Sequence, residues 1–313
     1  MHLNSFSSLL LIGWACMILC AGMGCSTRKN SRGSRVYHEL TTRYNVFYNA
    51  EQAYQEILDD QLEDFTEDYA LLLPYFPSPH AHSSSTPLSS SPITTGGPFD
   101  PVIVKMEKAI REHSISAKPR RDPTRRYSPK HRLWLQQNEF NPFIHQAWLL
   151  MGKAHVQNGD PARAIAVLNE TIRLFGQQSE AASEARLWMA RAYVDWGRLF
   201  EAEQALFAVR SSELPPQLQA LYHEVQAYYC IQNGEYTTAL PFLQQAIVAE
   251  KRVKQKRRLQ FLLGQIYTIL GEKERADQAF QSTKSLSTPR ELVQQATAYQ
   301  AELLNNSDSL AVQ

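Results

Sequence analysis

The sequence predicts an all-α fold in which helical hairpins stack into a superhelix, and three observations predict it. Four glycines recur at near-constant spacing: Gly159 in QNGDPARA, Gly197 in DWGRLFEA, Gly234 in QNGEYTTA and Gly271 in ILGEKERA, separated by 38, 37 and 37 residues. Around each glycine the same residue types return at the same offsets. After the last unit comes TPREL, which reads as the start of one more helix that would close the array.

The offsets have a packing reason. Seven residues before each glycine stands a small residue (Gly152, Ala190, Ala227, Gly264), and five after it an alanine (Ala164, Ala202, Ala239, Ala276). Nine after it stands a large apolar residue (Leu168, Leu206, Leu243, Phe280). Small residues let two antiparallel helices approach closely, and the large ones fill the gaps against them. The glycine ends the first helix because the turn needs a positive φ, which costs a residue with a Cβ about 1–2 kcal/mol. Four residues before it stands His155, Tyr193, Cys230 or Tyr267. A unit of this kind is tetratricopeptide-like, slightly longer than the usual ~34 residues, and no single unit can bury its own apolar face. Trp148 is read as an anchor between helices.

The elements follow in chain order. Residues 1–24 form an apolar run of the length of a signal-peptide h-region, short for a bilayer-spanning helix, and it stops at Gly24-Cys25 before polar STRKN; a plain secretory signal or an uncleaved anchor helix is the alternative reading. This resembles a bacterial lipobox, with Gly22 where leucine is usual. Cys25 is then the lipidation site, and two or three acyl chains would hold the chain on a membrane where one binds only marginally. Residues 25–70 carry this anchor and an expected helical hairpin, with Tyr44, Phe47 and Tyr48 on one face, a turn at Asn49, and Ala53 and Ile57 facing back. Residues 71–100 (LLLPYFPSPHAHSSSTPLSSSPITTGGPFD) are rich in Ser and Pro and are expected to be a disordered insertion. Residues 101–140 hold a helix and a basic linker. Residues 141–286 are the four repeats. Residues 287–304 form the capping helix, with Thr288 as N-cap, Pro289 as first helical residue and Glu291 closing a capping box. Residues 305–313 are a flexible tail.

The 313 residues carry a net charge of +1, so the whole chain makes no argument for a nucleic-acid partner. Charge is nonetheless segregated. The end of the first helical segment is acidic over residues 51–68, and KPRRDPTRRYSPKHR, residues 118–132, is basic. The expectation is that these two segments lie along each other, or that the basic one is solvated. Two candidate docking patches for an acidic partner remain: Arg120, Arg121, Arg125 and Arg126 in the first basic run, and Lys254, Lys256, Arg257 and Arg258 in the second, EKRVKQKRR.

No catalytic, cofactor or metal site emerges. GxSxG, HExxH, CxxC and phosphate-loop motifs are absent. His80 and His82 form an HxH pair in the Ser/Pro-rich stretch, and His155 occupies a repeat core position and is read as packed. Once a signal is removed, Cys230 is the only thiol besides Cys25. The chain is expected not to be an enzyme, and to take no small-molecule substrate and no nucleic acid.

Several stretches share a further likeness: CSTRKN, YHELTTRYNVFYNAEQAYQE, LLLPYFP, AIREHSISAKPRRDP and EFNPFIHQAWLLMGKAHVQNGD. Together they resemble the tetratricopeptide lipoproteins of the Bacteroidota type IX secretion and gliding motility machinery, of the PorW/SprE type. The motifs run from Cys25 to about Gly159, and more loosely to about Ser285. LTTRYNVFYN and EFNPFIHQAWLLMGKA are the specific ones, because repeat packing alone does not require them. The resemblance implies an outer-membrane lipoprotein facing the periplasm, required for protein secretion, that links periplasmic ring components to the outer-membrane translocon. Only the lipidated cysteine carries over, onto Cys25. Members of that family continue further after the repeats. Two other readings share the repeat type: an outer-membrane barrel-assembly lipoprotein and a glycan-capture lipoprotein.

Overall fold

A computed structural model describes residues 29–77, 96–122, 124–176 and 179–311, with side chains omitted for Ser179 and from residue 305 on. The signal segment, Cys25, His80 and His82 lie outside the described residues. Among the described residues every regular element is helical. The repeats are four antiparallel pairs: α4 (Ile144–Gln157) with α5 (Pro161–Phe175), α6 (Ser179–Asp195) with α7 (Leu199–Phe207), α8 (Pro216–Gln232) with α9 (Tyr236–Ala249), and α10 (Val253–Ile269) with α11 (Lys273–Thr283). The last helix, α12 (Arg290–Ala311), packs on α11.

All four turns are built alike. Gly159, Gly197, Gly234 and Gly271 have φ of 70°, 73°, 75° and 75°. Each glycine N–H donates to the carbonyl three residues back. The N–H after it donates to the carbonyl of His155, Tyr193, Cys230 or Tyr267, at 2.9–3.0 Å. This is the Schellman closure, which satisfies the last carbonyls of the first helix. The small-against-large pairing is also present. A Cβ on Gly152 would stand 2.6 Å from Leu168, and one on Gly264 would stand 2.6 Å from Phe280. Ala190 and Ala227 are fully buried in the equivalent seats, as are the four alanines of the second helices. Trp148 is partly buried against the cluster formed with the N-terminal helices, as an anchor between helices would be.

The N-terminal half departs from expectation in three places. The hairpin foreseen in residues 25–70 is one continuous helix, α1. It runs through an α-helical part Arg32–Thr41, a π-helical stretch Thr42–Phe47 and a second α-helical part Tyr48–Asp64 without leaving helical backbone. Asn49 makes no turn, and its amide donates to the Asn45 carbonyl at 2.7 Å. With no glycine or proline near position 49, nothing ends the helix, so the chain accommodates one wide turn instead. Both described ends of the stretch 71–100, expected to be disordered, are ordered; at its far end Phe99 is fully buried and Asp100 begins a helix. Residues 71–77 are packed, with Leu73 and Tyr75 almost completely buried, because the run LLLPYF is too apolar to leave in water. Thirdly, the basic linker carries a short helix, α3 (Pro129–Gln136), capped by Ser128. The preceding helix, α2 (Asp100–His113), packs against α4 and α1.

One cap also differs. The Thr288 hydroxyl is buried and donates to the Thr283 carbonyl at 2.8 Å, while the Pro289 carbonyl accepts the first bond of α12. Thr288 thus braces the loop rather than serving as the N-cap of a capping box.

Candidate protein-interaction surface

The first helices of the pairs stand in a rank, α4 touching α6 and α6 touching α8. Residues 65–77, which follow α1, form a strap across this rank. The strap touches α6 through Phe76, α8 through Tyr75 and Phe76, α10 through Glu67, Tyr69, Leu71, Leu73 and Pro74, and α12 through Tyr69. Its Leu73 and Tyr75 join the apolar cluster that α8 to α12 build around Phe261 and Phe280.

The strap is held largely by its main chain. The Gln265 amide grips it twice, donating to the Leu71 carbonyl at 2.8 Å and accepting from Leu73 N–H at 3.0 Å. Tyr299 donates to the Tyr69 carbonyl at 3.0 Å. The guanidinium of Arg258 donates to the carbonyls of Tyr75, at 2.9 Å, and Pro74, and pairs with Glu67. These two charged side chains are only 8% and 11% exposed, so each needs the other in a medium where an unpaired charge is costly. At the strap's end the Arg191 guanidinium lies 3.7 Å over the Phe76 ring.

Of the second basic run, then, Arg258 is buried within the fold. Arg257 donates to the Ser282 carbonyl at 2.6 Å, and Lys254 reaches the Leu62 carbonyl at 3.4 Å. Of the four patch residues, Lys256 alone shows no such bond among those formed by the described residues. The candidate docking patch at 254–258 is therefore in part an internal clasp: Arg258 is buried and not open to a partner, while Lys254 stays exposed. Among the described residues no ion pair joins residues 51–68 to residues 118–132; the acidic segment meets the second basic run instead, through Glu67 and Arg258. In the first run Arg120, Arg121, Arg125 and Arg126 are all exposed, and Arg125 lies over the Tyr127 ring. This patch stays open to a partner.

The motifs that repeat packing does not require meet at one buried polar node. The Glu139 carboxylate accepts the N–H groups of Ile115, Phe140 and Asn141 at 2.7–3.0 Å. The Asn141 amide donates to the His113 carbonyl at 2.9 Å and to the Thr42 hydroxyl at 3.2 Å, and that hydroxyl donates to the His38 carbonyl at 2.6 Å. The Nδ1 atoms of His38 and His113 lie 2.9 Å apart, so one imidazole must donate to the other. Burial lowers both histidine pKa values and raises that of Glu139 against the pull of its three donors. Two neutral rings sharing one proton hold the wide turn of α1 against α2 and the entry to α4. The hydrogen bonds of the node tie α1, α2 and the entry to α4 together.

The remaining candidates are structural as well. His155 is buried, which lowers its pKa. Cys230 is a free, buried thiol whose pKa burial pushes up to about 11. Among the described residues no three His, Cys, Asp or Glu side chains group to hold a metal, and no helix is long and apolar enough to cross a membrane.

No curated protein matches the chain. Among solved structures, a kinesin light chain of Podospora anserina with nearly identical TPR-like repeats is similar at 20% identity, covering 65% of this chain and 87% of that one, with a TM-score of 0.36. The tetratricopeptide repeat family matches residues 145–177 and 258–283, the first and fourth hairpins. The chain therefore carries tetratricopeptide repeats, and between the two matched hairpins the same Schellman turn recurs twice more.

Proposed function

We propose that the chain is a non-catalytic, lipid-anchored scaffold of the type IX protein secretion and gliding machinery. In this reading Cys25 carries the acyl chains, the protein faces the periplasm from the outer membrane, and the repeats connect ring components to the translocon. The observation that carries the scaffold reading is the fate of the chemistry-bearing side chains. The buried His, Glu, Asn and Arg groups are spent on joining helices, while an exposed basic patch at Arg120–Arg126 is left for contact. Tetratricopeptide repeats suit protein–protein interaction generally. The more specific assignment is supported by the resemblance of LTTRYNVFYN and EFNPFIHQAWLLMGKA, which supply Thr42, Glu139 and Asn141 to the buried node.

The test is affinity capture from solubilised outer membrane. Enrichment of secretion-ring and translocon components is the expected result. Enrichment of the barrel-insertion machinery alone would favour the barrel-assembly reading, and carbohydrate binding by calorimetry the glycan-capture one. Labelling with radioactive palmitate, lost together with membrane association in Cys25→Ala, tests the anchor.

A further inference from the structure

Five large apolar side chains on α1 face solvent: Val36 (53% exposed), Tyr37 (48%), Leu40 (49%), Tyr44 (65%) and Tyr48 (56%). Four of them are spaced by four residues. In a regular α-helix of 3.6 residues per turn such a series drifts around the axis. The π-helical stretch Thr42–Phe47 holds more residues per turn, so Leu40, Tyr44 and Tyr48 stay in line with Val36. The result is a straight stripe about 18 Å long at 1.5 Å per residue. The opposite side of the helix is the packed one, through Ser34, His38, Thr42 and Ala50. Among the described residues no other helix shows so many exposed large apolar residues in register, and a patch of this kind marks a surface that something covers.

We propose that this stripe lies on an anionic lipid bilayer. Two features of the chain select a bilayer over a protein. First, the charge around the stripe is positive: residues 29–48 hold Lys29, Arg32, Arg35 and Arg43 against the single acid Glu39. The sign reverses beyond it, at Glu51, Glu56, Asp59 and Asp60, so an anionic surface attracts the first four turns and repels the rest. Tyrosine suits such a boundary, with its ring among the acyl chains and its hydroxyl at the headgroups. Second, Cys25 precedes Arg32 by seven residues, about 24 Å of extended chain, which lets a lipidated Cys25 and the start of α1 share one membrane. This second argument rests on the lipid-anchor reading; the charge and the stripe do not. The bilayer then sees a second apolar contact besides the acyl chains, and the direction of α1 sets how the repeats stand on the surface.

Flotation of the chain from residue 25 onward, with Cys25→Ser so that no acyl chain is attached, tests this. Every described contact lies within residues 29–311, so the truncation removes none of them. With vesicles of phosphatidylethanolamine and phosphatidylglycerol the protein should float. The triple substitution Tyr37→Ser, Leu40→Ser, Tyr44→Ser should weaken partitioning at least tenfold. Phe200→Ser with Phe207→Ser, exposed apolar residues elsewhere, should leave it unchanged, and Lys29→Gln with Arg32→Gln should remove the preference for anionic lipid. Unaltered helical circular dichroism and melting check that the variants fold. Failure of the parent to float, or equal flotation of the triple variant, would overturn the proposal. So would a dimer in sedimentation that the triple variant dissolves while vesicles stay bare, which would assign the stripe to a second copy. If flotation behaves as expected but the chain isolated from membranes has no added acyl mass, the anchor reading fails and the stripe stands.

Discussion

Arg258 offers the sharpest test of how the N-terminal and C-terminal halves are joined. Arg258→Met keeps most of the stem that packs on α10 and removes the guanidinium. With the strap still seated, the Glu67 carboxylate is left 11% exposed without its partner, and the Pro74 and Tyr75 carbonyls lose their donor. Breaking a buried pair from one side costs about 3–5 kcal/mol. If the strap lifts instead, those polar groups return to water, but Leu73 and Tyr75 leave a core in which each is only 1% exposed. That loses about 1.5–3 kcal/mol for each side chain. Either route predicts a loss of several kcal/mol in urea denaturation followed by circular dichroism. Faster amide exchange confined to residues 69–76 would identify the second route. The decisive quantity is the sign of the coupling. Glu67→Gln should destabilise the parent, yet added to Arg258→Met it should restore stability, because it removes the orphaned charge. A loss under 1 kcal/mol for Arg258→Met, or simple additivity with Glu67→Gln, would refute the reasoning.

Three further outcomes follow from the packing and the ionisation of single groups. Gly234→Ala should lose about 1–2 kcal/mol from its positive φ alone, since the space around it is open. Gly264→Ala should lose about 1–3 kcal/mol by overpacking Phe280, less up to about 1 kcal/mol of helix propensity; in thermal melts Phe280→Leu should partly rescue the second variant and not the first. Burial, and secondarily the neighbouring Glu250, raise the pKa of Glu224 to about 6, above its ordinary value of 4.5. A carboxyl raised on folding contributes stability that is fully present below about pH 4.5 and lost as pH rises through 6. The difference in melting temperature between Glu224→Gln and the parent should therefore grow between pH 5 and pH 7; a difference independent of pH would refute the assignment. Cys230, its thiol pushed up to about 11 by burial, should react with a thiol reagent at neutral pH only as fast as the fold opens, which stopped reactions with and without urea would show.

The repeats were legible in the sequence because every determinant is local. The glycine, the small residue seven before it and the large residue nine after it lie within one hairpin, and the physics that pairs them needs no distant partner. The strap was not legible for the opposite reason: Leu73 meets Gln265 across 192 residues, and nothing near LLLPYFP indicates that seat. Its one signal was compositional, a run of apolar residues with no charge before the Ser-rich stretch begins. The continuous α1 is hard to read from the sequence because Asn49 suits a turn, although neither glycine nor proline stands there to break a helix. Charge along the second basic run does not reveal burial: Arg258 looks like its neighbours in sequence and faces inward in the fold. The polar node was half legible. Its two defining motifs stood out as unexplained by repeat packing, but their meeting through Thr42 and Asn141 is a tertiary fact.

Stacked repeats ordinarily form one after another, each needing only its neighbour. The seat of residues 65–77 breaks that rule. During synthesis the segment emerges roughly 180 residues ahead of α10, at a pace of seconds for such a stretch. Throughout that interval its apolar run, residues 71–76, is without the seat that α10 provides. A hairpin made late thus seats a segment laid down early, so the join between the two ends of the fold closes only when the whole stack is present.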